Sequence, residues 1–382
     1  MKGKEIKMNS KERMYAAIEG KKPDLCPVDS SYTQLAAVDH WEELTGLPVW
    51  KYYEWLVSQD MEWYKDVCRS VYSQLTFDVI HPIYKWERGD IEVVHRGGEH
   101  FYYYKNEDRY EKLPDNIHNA GSGGGEQETR YIFSKQDARE RLKVKKAEQM
   151  ISDGCNKYTG EIIKMFGDTH FILTSGVVGT FYSNVYHVGM TEFYAMLLEE
   201  PELIHYMSAL ILEQNIEHIR AAAAAGGDAI QIDDATATSD MISPKMYEEF
   251  SLPYIIPQVK EIQRLGKKAI LIYFGGISDR VDMIKSTGAD VLMMECSMKG
   301  YVNDYDDIAA KLGGGMCLAG NLDPYTDIET ATEEELEFKV RNMNRKGGNY
   351  GKYFAGTGSP LTPNTSIERI KKYIDLARGK NV

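Results

Sequence analysis

Four groups of residues in this chain have the types and spacing to do chemistry. Asp233 and Asp234 are adjacent carboxylates at the end of the apolar run Ala229-Ile230-Gln231-Ile232. Asp78 and His81 flank Val79-Ile80 just ahead of Pro82. Tyr273 ends the run Lys268 to Ile272, and Glu295-Cys296 follows Val291 to Met294. Carboxyl groups in unlike surroundings can divide acid and base roles. A tyrosine hydroxyl can hand a proton to a departing oxygen. Glu295 and Cys296 are candidate metal ligands, although a metal needs three or four convergent groups. Tyr32, His81, Ser175, Asp233, Asn321 and Thr357 are candidate substrate contacts, and Asp78, Asp234 and Tyr273 are the candidate catalytic set. Each has a plainer reading. The aspartates could cap helices, His81 could satisfy a buried carbonyl, and Tyr273 and Cys296 could simply pack. Asn321 could serve the turn around Pro324.

Catalytic groups need strand ends to hold them. Eight short apolar runs are each followed by a helical pattern: 25–30, 77–82, 170–176, 229–233, 269–273, 290–294, 316–321 and 353–358. Buried parallel strands read this way. Eight of them predict an α/β fold, a (β/α)8 TIM barrel over residues 1–382, with polar strand ends gathered at one mouth. A doubly wound sheet fits less well, because no Gly-x-Gly-x-x-Gly follows the first run. A helix over 9–20, capped by Asn9 or Ser10, forms an N-terminal extension. Residues 85–113 alternate with period two around Arg96-Gly97-Gly98-Glu99, predicting an inserted β-hairpin. The Gly-rich stretch 120–126 is expected to be a flexible loop. The aromatics Trp41, Tyr52, Tyr53, Trp55 and Tyr64 recur at helical spacing and are expected in the core.

Composition removes several function classes. With 43% hydrophobic residues there is material for a large core, and a net charge of −13 disfavours nucleic acid. Five widely spaced cysteines without Cys-x-x-Cys argue against a disulfide framework and fit a reducing compartment. No run approaches the roughly 20 apolar residues of a membrane span, and the first residues lack a signal-peptide pattern. The expectation is a cytoplasmic protein with a small-molecule substrate, no membrane partner, and an assembly compatible with a homodimer.

Several stretches in order resemble the uroporphyrinogen decarboxylase superfamily. They are Gly226-Gly227-Asp228-Ala229 with Asp233-Asp234, Ile242-Ser243-Pro244 before Tyr254, and Gly288-Ala289-Asp290. Gly320-Asn321-Leu322-Asp323-Pro324 and Gly356-Thr357-Gly358-Ser359-Pro360 follow. The resemblance implies a (β/α)8 barrel, with Asp78 where the family tends to carry an aspartate. It also implies a choice of chemistries. True decarboxylases of the family carry an arginine-rich entry stretch, whereas here it reads Pro27 to Gln34 with no arginine. A substrate with eight carboxylates needs cations. The corrinoid-dependent methyltransferases of the superfamily often bind zinc through His-x-Cys and a later Cys. Those positions fall on Ile272, Phe274 and Thr357, so the usual zinc ligands are absent.

What remains is a demethylase-like reading: methyl transfer from a small methoxylated aromatic to a corrinoid (cobalamin-binding) protein acting as partner. No Asp-x-His-x-x-Gly stretch suggests a corrinoid domain within this chain. The alternatives are a decarboxylase-like carboxy-lyase and a non-enzymatic barrel that handles small molecules or corrinoids.

Overall fold

The computed structural model describes residues 7–83, 85–114, 117, 131–298 and 300–380, with only the backbone of Ser175. The strands are β1 (Val79–Ile80), β2 (Ile91–Arg96), β3 (Glu99–Tyr104), β4 (Arg109–Lys112), β5 (Phe171–Val178), β6 (Ala229–Asp233), β7 (Lys268–Tyr273), β8 (Val291–Met294), β9 (Cys317–Ala319) and β10 (Tyr353–Phe354). β1 and β5 to β10 form one parallel sheet in the order β1-β5-β6-β7-β8-β9-β10. Helices cross over between successive strands, as parallel pairing requires.

The segment around Val28 completes the ring. Val28 forms a parallel bridge with Ala355. The Ala355 N–H donates to the Pro27 carbonyl at 2.8 Å, and the Asp29 N–H donates to the Ala355 carbonyl at 2.9 Å. On its other side Val28 accepts the Asp78 N–H at 2.8 Å. Residues 27–29 therefore sit between β10 and β1 as the eighth staff of the barrel. The (β/α)8 expectation is met, with all eight apolar runs at barrel positions.

Strand alternation sorts side chains into an inner and an outer layer. Phe171, Leu173, Ala229, Ile270, Ile272, Val291, Met293, Cys317 and Ala319 fill the inside. The outward set, which includes Ile230, Ile232, Leu271, Leu292 and Leu318, packs against the helices. The N-terminal helix Ser10–Ile18 stoppers the ring, with Met14 and Ile18 in the inner cluster. Asn9 caps it in a reciprocal bond with Glu12.

The N-terminal ends of three strands share one device. Asp78, Asp228 and Asp290 stand just before β1, β6 and β8. Each carboxylate accepts a backbone N–H from the preceding staff: Val28, Ile172 and Ala269 respectively, each at 2.9 Å. Cations complete them. Arg13 and Arg378 reach Asp78 at 2.6 and 3.2 Å, and Lys11 reaches Asp228 at 2.9 Å.

The predicted hairpin is present and larger than expected: β2, β3 and β4 make a three-stranded antiparallel sheet. Trp41, Tyr52, Tyr53, Trp55 and Tyr64 are buried in the outer core, Trp41 and Trp55 with ring centroids 5.4 Å apart. The stretch 120–126 lies outside the described residues. Among the described residues, no helix is long and apolar enough to cross a membrane.

Candidate active site

Asp233 is the last residue of β6 and, by alternation with Ala229 and Gln231, points into the ring. The Tyr32 hydroxyl donates to its Oδ2 in a short hydrogen bond, while Gln231 Nε2 donates to the Tyr32 oxygen at 3.0 Å. The Ala235 N–H fixes the other carboxylate oxygen at 3.0 Å. Tyr32 is held in the left-handed backbone region, φ 53° and ψ 49°, a costly conformation for a bulky residue and one that clusters at functional sites. Phe274, the next inward residue of its staff, stacks on the Tyr32 ring at 5.9 Å. Loss of water raises the pKa of Asp233, opposed by the Tyr32 hydrogen bond. Burial first, and then the Asp233 charge, pushes the Tyr32 hydroxyl far up. Burial thus favours the protonated form of both groups.

This pair forms one wall of a cavity of about 500 Å³, within the range of small-molecule sites. Leu173, Val177, Ile83 and Tyr158 give it an apolar interior, and His81 and Lys85 stand on another wall. His81 is buried, and its Nε2 lies 3.1 Å from both oxygens of buried Asp29. A carboxylate, rather than a backbone carbonyl, thus partners His81.

Tyr32, His81 and Asp233 are brought together here. Asp78, Asp234, Tyr273, Glu295, Cys296, Asn321 and Thr357 do not line this cavity. Asp78 is corrected outright: it precedes β1 and is clamped at the closed end of the barrel by Arg13, Arg378 and the Val28 amide. Tyr273 lies on the outer face of β7, fully buried, with its hydroxyl 2.7 Å from that of Tyr247 on the helix Pro244–Phe250. Phe274, not Tyr273, faces the mouth. Asp234 likewise points outward, fully buried. It accepts a short hydrogen bond from Ser251 and packs so closely on Gly179 that a Cβ there would meet its Oδ1 at 2.4 Å. Burial, then the neighbouring Asp233 charge, brings its pKa up to about 7 against the pull of Ser251.

Glu295 is satisfied by Tyr301 at 2.5 Å and Ser359 at 2.7 Å. Cys296 is the next residue along the chain and is buried, its thiol pushed up to about 12 by burial and by Asp323. Asn321 donates to the Asn303 carbonyl at 3.2 Å, and Thr357 bonds Ser30 at 2.6 Å, so both fasten loops to one another. The Ser175 side chain lies outside the described residues.

Among the described residues, no three His, Cys, Asp or Glu side chains converge to hold a metal. The positions expected of zinc ligands carry Ile272 and Phe274 in the inner apolar layer, and the loop-fastening Thr357. That donor set does not fit zinc.

Sequence reasoning did not single out Asp29, Gln231, Lys85 or Tyr158. Lys85 offered a signal, a lone cation within the aromatic stretch Ile83-Tyr84-Lys85-Trp86. Gln231 offered another, a polar residue inside an apolar strand.

The uroporphyrinogen decarboxylase (URO-D) profile matches residues 121–379. Uroporphyrinogen decarboxylase of Myxococcus xanthus is 28% identical over 187 residues, 49% of this chain and 51% of that one. The enzyme of Xanthomonas euvesicatoria pv. vesicatoria is 33% identical over 191 residues, 48% and 52% respectively. The chain thus spans about half the length of the curated relatives it matches. Among solved structures, a methyltransferase from Methanosarcina mazei superposes with a TM-score of 0.64 at 16% identity, over 97% of this chain and 98% of that one. This likeness is one of fold.

Proposed function

From the premise that the chain belongs to the uroporphyrinogen decarboxylase family, we propose that it is a methyltransferase that demethylates a small methoxylated aromatic and delivers the methyl group to a separate corrinoid protein. The observation that carries this reading is the Tyr32–Asp233 couple on the wall of a largely apolar cavity. An aryl ether releases its methyl group when the departing oxygen receives a proton. Asp233, which burial holds toward its protonated form, can pass a proton through the Tyr32 hydroxyl to that oxygen, Tyr32 releasing its own proton as it takes the one from Asp233. The corrinoid supplies the nucleophile that takes the methyl group. This chain binds the ring, excludes water and protonates the oxygen.

The cavity also disfavours the decarboxylase reading. Among the described residues that line it there is no arginine, and a substrate bearing many carboxylates requires several cations.

The test mixes the protein with reduced cobalamin and a panel of methoxylated aromatics, methylamines and uroporphyrinogen. The expected result is methylcobalamin from an aryl ether, and a loss of about 10²–10⁴ in kcat for Tyr32→Phe, the usual worth of a positioned acid. Carbon dioxide from uroporphyrinogen, with no methyl transfer from any ether, would overturn the proposal.

A further inference from the structure

Lys85 has had no role so far. It lies in the segment after β1, only 7% exposed, on the wall of the cavity that holds the Tyr32–Asp233 couple. Its ammonium donates one hydrogen bond, to the Trp55 carbonyl. It also sits over the Trp55 and Tyr158 rings, at 4.7 and 5.7 Å. Among the described residues, no carboxylate forms an ion pair with it. Glu87, the nearest in sequence, is taken by Lys157 at 2.8 Å and the Tyr158 hydroxyl at 2.7 Å. An ammonium carries three donors, and among the described residues only the Trp55 carbonyl accepts from this one. A buried charge without a counter-ion is unfavourable unless a ligand supplies one. The chain is rich in carboxylates, with a net charge of −13, yet among the described residues Glu87 and Asp60 act on this cation only from beyond ion-pair distance.

We propose that Lys85 is the counter-ion for a carboxylate on the substrate, so that the cavity selects single-ring methoxybenzoates over neutral methoxyarenes. The strand order fits. β5 pairs with β1 on one side and β6 on the other. β1, which leads to Lys85, and β6, which ends in Asp233, thus flank β5 in the sheet. A single benzene ring bearing a carboxylate and an ether oxygen would present one group to each. The ether end of this assignment rests on the methyltransferase reading, and the carboxylate end does not.

The charge on Lys85 is labile. Burial lowers its pKa to about 8; Glu87, Asp60 and Cys68 oppose that fall and Lys157 adds to it. Carboxylate binding is therefore expected to be full near neutral pH and to fade as pH rises through about 8.

Calorimetric titration of the full chain with 3-methoxybenzoate and with 3-methoxybenzyl alcohol tests this without turnover. The wild type should prefer the acid by about tenfold or more, as a charge-assisted hydrogen bond does. Lys85→Met should abolish the preference and leave alcohol binding within about twofold. Lys85→Arg should retain part of it. Unfolding midpoints confirm that each variant is folded. Equal affinity for the two ligands, no binding of either, or a preference that survives in a folded Lys85→Met would overturn the inference. A Lys85-dependent preference without methyl transfer would leave it standing and remove the methyltransferase reading instead.

Discussion

Replacing Asp78 with alanine separates a clamp from a catalyst. The side chain is fully buried and holds three partners: Arg13 at 2.6 Å, Arg378 at 3.2 Å and the Val28 amide at 2.9 Å. Removing one member of a buried ion pair typically costs about 3–5 kcal/mol, because the other charge is stranded. Two features bring this site toward the lower end of that range. Arg13 keeps Asp24 through a second contact at 2.8 Å, and Arg378 keeps the Thr76 carbonyl. The lost amide bond adds about 1 kcal/mol. The expected cost of Asp78→Ala is therefore about 4 kcal/mol. Asp78→Asn, which keeps an acceptor for Val28, should cost about 1 kcal/mol less. Urea denaturation measures this without screening the charges, and the turnover of the folded fraction should be unchanged. A cost below about 1 kcal/mol together with a hundredfold loss of kcat would show that Asp78 takes part in chemistry and that its placement here is wrong.

Two further outcomes follow from the residues that turn away from the mouth. Tyr273→Phe loses only the hydroxyl contact with Tyr247, so it should cost about 1 kcal/mol in stability and leave kcat intact; a hundredfold loss of kcat would restore Tyr273 as proton donor. Asp234 has a folded pKa near 7 and an unfolded one near 4. Between those values the native state binds more protons than the unfolded chain, so stability should fall as pH rises from about 4 to 7 and then level off. Asp234→Asn should flatten that decline, and urea midpoints across the window that keep the wild-type slope would contradict the assignment.

The ring itself was legible because each staff is a short apolar run bounded by glycine or polar residues. Which face of each staff looks inward was not. Buried parallel strands are apolar on both faces, so Ala269-Ile270-Leu271-Ile272 gives no sign that Tyr273 turns to the helices and Phe274 to the ligand. The same ambiguity hid the division between Asp233 and Asp234. Asp78 was readable in principle. Phe77-Asp78-Val79, Gly227-Asp228-Ala229 and Ala289-Asp290-Val291 all place aspartate immediately before an apolar run, and that repetition marks strand beginnings rather than ends. The Tyr32–Asp233 contact joins residues 201 positions apart. Nothing in Ser30-Ser31-Tyr32 announces a left-handed tyrosine, since the surrounding fold imposes that conformation.

The seam at Val28 also bears on how the protein assembles. It unites residues 27–29 with 355, and Asp78 with Arg378, across some of the widest gaps the chain can span. Contacts so remote are entropically the slowest to form. During synthesis the nascent cylinder must wait, split along one edge, until residue 378 emerges to latch it.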